Sequence, residues 1–132
     1  MIILDTKEDY ENHINLLKLK GEIISLVPTM GNLHDGHLSL VEIAKKNSSK
    51  VITTIFINPL QFGKDEDFAS YPRTLSHDIS KLKKLNCDIL FAPKNKNEVF
   101  NNIDNLKKLK AGQKGNILCG KVRPGHFDGV LK

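Results

Sequence analysis

The apolar residues of the chain fall into two patterns, helical stripes and short unbroken runs. Met1 to Leu4 reads as a short edge strand. Thr6 is placed to cap a helix, with Asp9 three residues on as in a capping box. Tyr10, Ile14 and Leu17, together with Leu16, recur at helical spacing up to about Lys20, and Gly21 is the glycine that commonly follows a helix end. Ile23 to Val27 reads as a buried strand, and Pro28 is expected to close it because proline cannot donate to a ladder. A second helix is predicted from about Gly36 to Asn47, burying Leu38, Leu40, Val41 and Ala44. Val51 to Ile57, mostly β-branched, is the clearest strand. Asn58-Pro59 stops it, and a polar loop runs to Arg73. A third helix starts at Thr74 or Ser76 and continues through Leu85, with Ile79, Leu82 and Leu85 on one face. Cys87 to Phe91 is a further short strand, ended by Pro93. Beyond it the periodicity fades: Leu106 and Leu109 allow a short helix, and Gly125 to Lys132 looks like the entry to another.

The alternation of strand and helix has the spacing of parallel βαβ units, whose crossovers are almost always right-handed. The predicted class is α/β, a Rossmann-like parallel sheet with flanking helices. A sheet that stops with a helix just begun is read as truncated. The expected organisation is therefore one incomplete nucleotide-binding domain over 1–132, lacking a C-terminal domain. In open sheets of this kind ligands bind beyond the carboxyl ends of the strands. That rule singles out Pro28 to His37 and Asn58 to Phe62.

Composition narrows the classes. With 39% hydrophobic and 27% charged residues the chain is ordinary for a globular protein, which argues against disorder throughout. No apolar run approaches the ~20 residues of a membrane span, and the early acids Asp5, Glu8 and Asp9 do not fit a signal peptide. Cys87 and Cys119 form no CxxC pair, so a reduced cytoplasmic setting is expected. The net charge of +5 suits anionic ligands without choosing one. The excess is local: Lys94 to Lys114 holds six lysines against Glu98 and Asp104. Its one aromatic, Phe100, gives no stacking platform for nucleic acid, so a solvated loop is the reading adopted.

The chemistry gathers in Thr29-Met30-Gly31-Asn32-Leu33-His34-Asp35-Gly36-His37, which leaves a strand and enters a helix. Free amides and the helix dipole at such a start attract phosphate. Gly31 permits a tight turn, and Gly36 is expected to let a ligand approach the backbone. His34 and His37, three apart, share one side of a helical turn and can donate to phosphate oxygens, which would favour their protonated form. A zinc site built on the pair lacks an evident third ligand. Asn58 and Gln61 follow the next strand and can hold hydroxyl or carboxylate groups of a small substrate, with Phe56 and Phe62 as walls. Asp65, Glu66 and Asp67 read as a solvated acidic run. Asp78 is a candidate for Mg²⁺ bound to phosphates. Arg123, before Pro124, can clamp a carboxylate or phosphate, while His126 is either a ligand contact or, the reading favoured, a packing residue at a helix start.

Together these segments resemble the N-terminal part of the pantothenate synthetase (pantoate–β-alanine ligase) family. Pro28-Thr29-Met30-Gly31 with His34-Asp35-Gly36-His37-Leu38-Ser39-Leu40-Val41 looks like its nucleotide signature. Ile55-Phe56-Ile57-Asn58-Pro59-Leu60-Gln61-Phe62, Tyr71-Pro72-Arg73-Thr74-Leu75 and Arg123-Pro124-Gly125-His126-Phe127 are similar to three further blocks, in the same order. The H-x-G-H element alone would indicate only the wider nucleotidyltransferase superfamily.

The resemblance implies ATP-dependent joining of pantoate and β-alanine through a pantoyl adenylate, with ATP and Mg²⁺ as cofactors, on the path to pantothenate and coenzyme A. It implies that His34 and His37 bind ATP phosphates and act in catalysis. Pro28, Thr29, Met30, Gly31 and Gly36 would line the ATP site. Met30, Phe56, Asn58, Gln61 and Arg123 would contact substrate, and Asp78 would place Mg²⁺. Homodimers are implied; no nucleic-acid or membrane partner is expected. Val99-Phe100 stands where the family carries a tyrosine–proline pair. The family also continues for about as long again, with a lysine, a glutamine and a serine-rich loop that complete the ATP site. Hence the expectation that this chain alone binds nucleotide weakly, if at all, and does not complete catalysis. The alternatives are another adenylyltransferase of the superfamily, or a non-catalytic remnant or dimerisation module.

Overall fold

The computed structural model describes residues 1–62, 68, 70–100 and 110–131. The acidic run Asp65 to Asp67 and the candidate helix at Leu106 and Leu109 lie outside the described residues. The chain divides into two compact units, one of Met1–Ile57 with Pro72–Val99, the other of Asn58–Tyr71 with Phe100–Lys132.

The first unit runs β1 (Ile2–Leu4), α1 (Lys7–Leu19), β2 (Ile24–Thr29), α2 (Asp35–Asn47), β3 (Lys50–Ile55), α3 (Leu75–Lys84) and β4 (Ile89–Phe91). Its four strands form one sheet in the order β1-β4-β3-β2, every pair parallel. The class expected from sequence is the one observed. The path β2→β3→β4 steps one way across the sheet, and β1→β2 steps the other. Right-handed crossovers therefore place α2 and α3 on one face and α1 on the opposite one.

The core follows that division. Val41 and Ala44 of α2, Leu82 of α3, and Leu33 pack with Val27, Val51 and Leu90 on one side. Leu17 of α1, with Tyr10 and Ile14, packs on Ile52 and Ile89 on the other. Neighbours Val51 and Ile52 point to opposite faces, and both are buried because both faces are covered, as the unbroken apolar run requires. Thr53 hides its hydroxyl 3.4 Å from the Cys87 sulfur, so this cysteine is a packing residue. Thr6 caps α1 through the Asp9 amide, and Gly21 leaves the helix at φ 72°, both as expected.

Two expectations fail. Pro28 does not close β2; it is paired with Thr54 inside the strand, which continues to Thr29. The Ile23 and Thr29 carbonyls accept from β3 and the residue after it, so the odd-numbered positions of β2 face that neighbour and Pro28 turns its missing donor toward the outer edge. β2 is last in the sheet order, where proline costs no ladder bond. Leu40 is not in the core: it is 51% exposed, one residue off the face that buries Val41 and Ala44.

The second unit contains a 3-10 turn at Pro59–Gln61, another at Gly112–Asn116, and two short helices, α4 (Cys119–Val122) and α5 (His126–Leu131). α5 is the helix predicted after Gly125. It packs on the Pro59–Gln61 turn, where the Gly129 position lies so close to Leu60 that an added Cβ would sit 1.9 Å from the Leu60 carbonyl oxygen.

Among the described residues no helix is long and apolar enough to cross a membrane.

Candidate functional site

The winding of the sheet reverses at β2, and the carboxyl end of that strand leads into the turn that carries the two histidines. Thr29 starts the turn. Its Oγ1 accepts the Gly31 N–H at 3.1 Å and donates to the Thr54 carbonyl at 2.7 Å, which ties the turn to β3. Gly31 (φ 81°) and Asn32 (φ 52°) are both left-handed. A Cβ at Gly31 would stand 3.1 Å from Ile55 and 3.2 Å from an Asp78 oxygen, so conformation and space both call for glycine. Leu33, 2% exposed, plugs the core and anchors the turn from below.

His34 is the N-cap of α2 and His37 its third residue. Together they form a capping box built from imidazoles. His34 Nδ1 accepts the Gly36 N–H at 3.1 Å, and His37 Nδ1 accepts the His34 N–H at 3.4 Å. The rings lie 4.1 Å apart between centroids, tilted by 45°. A nitrogen that accepts a backbone N–H carries no proton, so each ring proton sits on Nε2, the far side of the ring. The pair thus presents two Nε2–H donors, one from each ring, on the side away from the accepting nitrogens. Burial, and secondarily the charge of His34, lower the His37 pKa from its ordinary 6.5, with Asp78 pulling weakly the other way.

Gly36 has a different role from the one expected of it. A Cβ there would lie 2.9 Å from His34 Cε1 and 3.1 Å from His34 Nδ1, so glycine makes room for the imidazole to fold back onto the helix start. Pro28 is exposed and Met30 half-buried at either end of the strand–turn junction.

Asp78 sits on α3, 1% exposed, with both oxygens engaged by the protein. Oδ1 accepts the Leu33 N–H at 2.9 Å; Oδ2 accepts the Asn32 N–H at 2.9 Å and the Thr74 hydroxyl at 3.0 Å. Lys81, one turn further along α3, donates its ammonium to the Leu33 carbonyl. Three of the roughly four acceptor positions of this carboxylate are taken by the turn and by Thr74, and the side chain is closed off from solvent, where Mg²⁺ and its waters would have to reach it. Among the described residues no group of three or more His, Cys, Asp and Glu side chains is placed to hold a metal ion. The donor set around Asp78 therefore does not fit a metal centre. Thr74 is marked in the sequence only as part of the Tyr71–Leu75 block, and nothing there marks Lys81 for this site. Their partners are a carboxylate and a backbone carbonyl reached only through the fold, and a lysine in an amphipathic helix carries no sign of such a contact.

The remaining candidates are grouped in the second unit, except Phe56, which is half-buried in the first and donates its N–H to the Thr29 carbonyl at 3.0 Å. Asn58, 7% exposed, caps the 3-10 turn: Oδ1 accepts the Leu60 N–H and Nδ2 donates to the Gly129 carbonyl, both at 3.0 Å. Gln61 is held by its backbone. Its carbonyl lies 2.9 Å from His126 Nδ1 and accepts from Arg123 Nη2 at 3.4 Å, while Arg123 Nη1 stands 3.4 Å from His126 Nε2. A guanidinium can only donate, so His126 Nε2 accepts and its Nδ1 carries the ring proton. His126 is thus a hydrogen-bonding link rather than a packing residue alone. Phe62 lies edge-on to Phe68 and Tyr71, with ring centroids 5.2 and 5.5 Å away.

Comparison with known families decides the ancestry of this arrangement. The family model described as pantoate-beta-alanine ligase matches residues 2–132. The chain belongs to that family. The pantothenate synthetase of Thermoanaerobacter sp. (strain X514) is 49% identical over 130 residues, which cover 98% of this chain and 45% of the relative. That of Chromohalobacter salexigens is 43% identical over 130 residues, 98% and 46% of the two chains. Among solved structures, the Francisella tularensis pantoate-beta-alanine ligase, complexed with beta-gamma ATP and beta-alanine, superposes with a TM-score of 0.86 at 42% identity, covering 98% of this chain and 49% of that one. The Thermus thermophilus enzyme gives 0.77 at 36% identity, covering 98% and 45%. The chain thus spans about half the length of the ligases it matches.

Proposed function

We propose that this chain carries the nucleotide-phosphate half of an ATP-dependent ligase that joins pantoate to β-alanine. The observation that carries the reading is the imidazole capping box: two Nε2–H donors fixed side by side at the amino end of α2, where the helix dipole also favours anions. In the proposed reaction the pantoate carboxylate attacks the α-phosphorus of ATP and pyrophosphate leaves. The amine of β-alanine then attacks the acyl carbon of the adenylate, loses a proton and expels AMP. The nucleophiles belong to the substrates, so the protein supplies alignment and stabilisation of phosphate charge. His34 and His37 donate to phosphate oxygens through their Nε2–H groups. Pro28, Thr29, Met30 and Gly31 shape the adjoining surface. In the second unit Asn58 and Arg123, through Gly129 and the Gln61 carbonyl, hold the segment that carries Gln61, a proposed substrate contact; in the first unit the proposed substrate contacts are Met30 and Phe56. Mg²⁺ would arrive with the nucleotide, keeping several of its waters, rather than through Asp78. Cys87 and Cys119 are free thiols, in keeping with work in the cytoplasm.

Pantoate-dependent pyrophosphate–ATP exchange tests the assignment, using the chain and a chimera in which it replaces the matching half of the Francisella ligase. Exchange that needs pantoate and no phosphorylated acceptor is expected, with loss on His37→Ala. A folded chimera that exchanges only with a phosphorylated acceptor would make the chain an adenylyltransferase of another kind. Homodimer formation is part of the proposal, and sedimentation should give twice the 14.8 kDa chain mass.

A further inference from the structure

The turn that bears the histidines is gripped from α3 at both polar groups of one residue, Leu33. Asp78 takes the N–H of Leu33 and Lys81 takes its carbonyl, so two side chains one turn apart on α3 grip both polar ends of one buried residue. Asp78 also takes the Asn32 N–H and is itself braced by the Thr74 hydroxyl at the start of α3. The Leu33 carbonyl is bonded immediately before the His34 amide, and that amide is the one that reaches His37 Nδ1. The orientation of the Leu33–His34 peptide therefore sets half of the imidazole capping box. The Asn32 and Leu33 amides, which could otherwise donate to an anionic ligand, are already occupied by the Asp78 carboxylate. The imidazoles are then the donors that remain to be aimed.

We infer that Asp78 and Lys81 are positioning residues, a two-sided clamp on Leu33 that fixes the His34–His37 pair with both ring protons on Nε2. The clamp does not touch the ligand; it acts through the turn. It rests on the phosphate-binding reading of the histidines only for its purpose, since the geometry it predicts is measurable without nucleotide.

The test is nitrogen NMR of the imidazoles in the labelled chain, together with amide exchange and titration with Mg-ATP. The variants are Asp78→Asn, Lys81→Met and Lys81→Arg. Wild type should show unprotonated Nδ1 and protonated Nε2 in both rings. Lys81→Met should move both rings toward averaged tautomer shifts, speed exchange at Asn32 and Leu33 about tenfold, the worth of one hydrogen bond, and leave the β3 amides unchanged. It should also weaken Mg-ATP binding, and Lys81→Arg should restore all three readouts. Asp78→Asn should act in the same direction, and Lys81→Met decides the matter if that variant fails to fold. Unchanged imidazole spectra in Lys81→Met, or exchange that rises equally in β3, would overturn the clamp. So would Mg-ATP affinity that stays at the wild-type level when the rings have moved. A wild-type chain that binds no Mg-ATP would sink the proposed function, and the imidazole spectra would still decide the clamp.

Discussion

Replacing Gly36 by alanine should separate folding from binding. The substitution adds a Cβ 2.9 Å from His34 Cε1 and 3.1 Å from Nδ1, and apart from its chain neighbours and its own helix backbone it meets only that ring. The obstructing atoms belong to a side chain of an exposed residue, so the imidazole can swing away and no backbone need move. Two terms then oppose each other. Alanine in place of glycine stabilises a helix by roughly 0.5–1 kcal/mol. Loss of the His34 cap on the Gly36 amide costs about 1 kcal/mol, within a usual range of roughly 0.5–2. The net change in stability should lie within about 1 kcal/mol of zero, small against the ~5–15 kcal/mol that holds a domain together. Binding should not be spared, because the ring that swings out no longer presents Nε2 beside His37. One hydrogen bond to a charged group is worth about 1.5–3 kcal/mol, so Mg-ATP affinity should fall by roughly tenfold or more. Urea unfolding and calorimetric titration of the same preparation measure both quantities. Affinity within about twofold of wild type, or a stability loss well above 2 kcal/mol, would mean that Gly36 does not serve to seat the His34 ring.

Other consequences can be checked in the same way. Gly129→Ala meets backbone, not a mobile side chain, with its Cβ 1.9 Å from the Leu60 oxygen and 2.8 Å from Gln61 Cα. It should abolish protection of the α5 and Leu60 amides in hydrogen exchange while β3 stays protected. Leu33→Ala removes a side chain that is 2% exposed and should cost about 2–5 kcal/mol in denaturant unfolding, with a smaller loss contradicting its role as the plug beneath the turn. The lowered pKa of His37 means that the folded state prefers the neutral ring. Its contribution is full above the ordinary value of 6.5 and is lost as pH falls through the folded-state value. His37→Gln keeps the capping-box acceptor but cannot titrate, so wild type should lose stability relative to this variant as pH drops below that window. Parallel curves for the two proteins would contradict the assignment.

How far the sequence discloses this molecule depends on where each residue finds its partner. β3 is legible because a β-branched run buried on both faces has few other uses. The caps at Thr6 and Gly21 are legible because they are satisfied within a turn of chain. Pro28 misleads because proline rules assume a strand with neighbours on both sides, and β2 lies at the end of the sheet order. Leu40 misleads because an apolar stripe in sequence is wider than the line of contact the sheet offers. In the candidate site, the histidine pair and the helix start can be named from spacing alone. The role of Asp78 cannot, because it takes backbone amides 45 and 46 residues away, and amides leave no signature in the sequence. The same holds for Asn58 and Arg123, each of which holds a backbone carbonyl contributed by a distant segment. Gly36 is legible as a point of close approach, but the approaching group is His34.

Whether the imidazole capping box binds nucleotide phosphate is decided by calorimetric titration of the chain with Mg-ATP, repeated on His34→Ala/His37→Ala. The wild type should bind and the double variant should not, with both proteins folded by circular dichroism. Equal binding by the two proteins, or none by a folded wild type, would rule the site out.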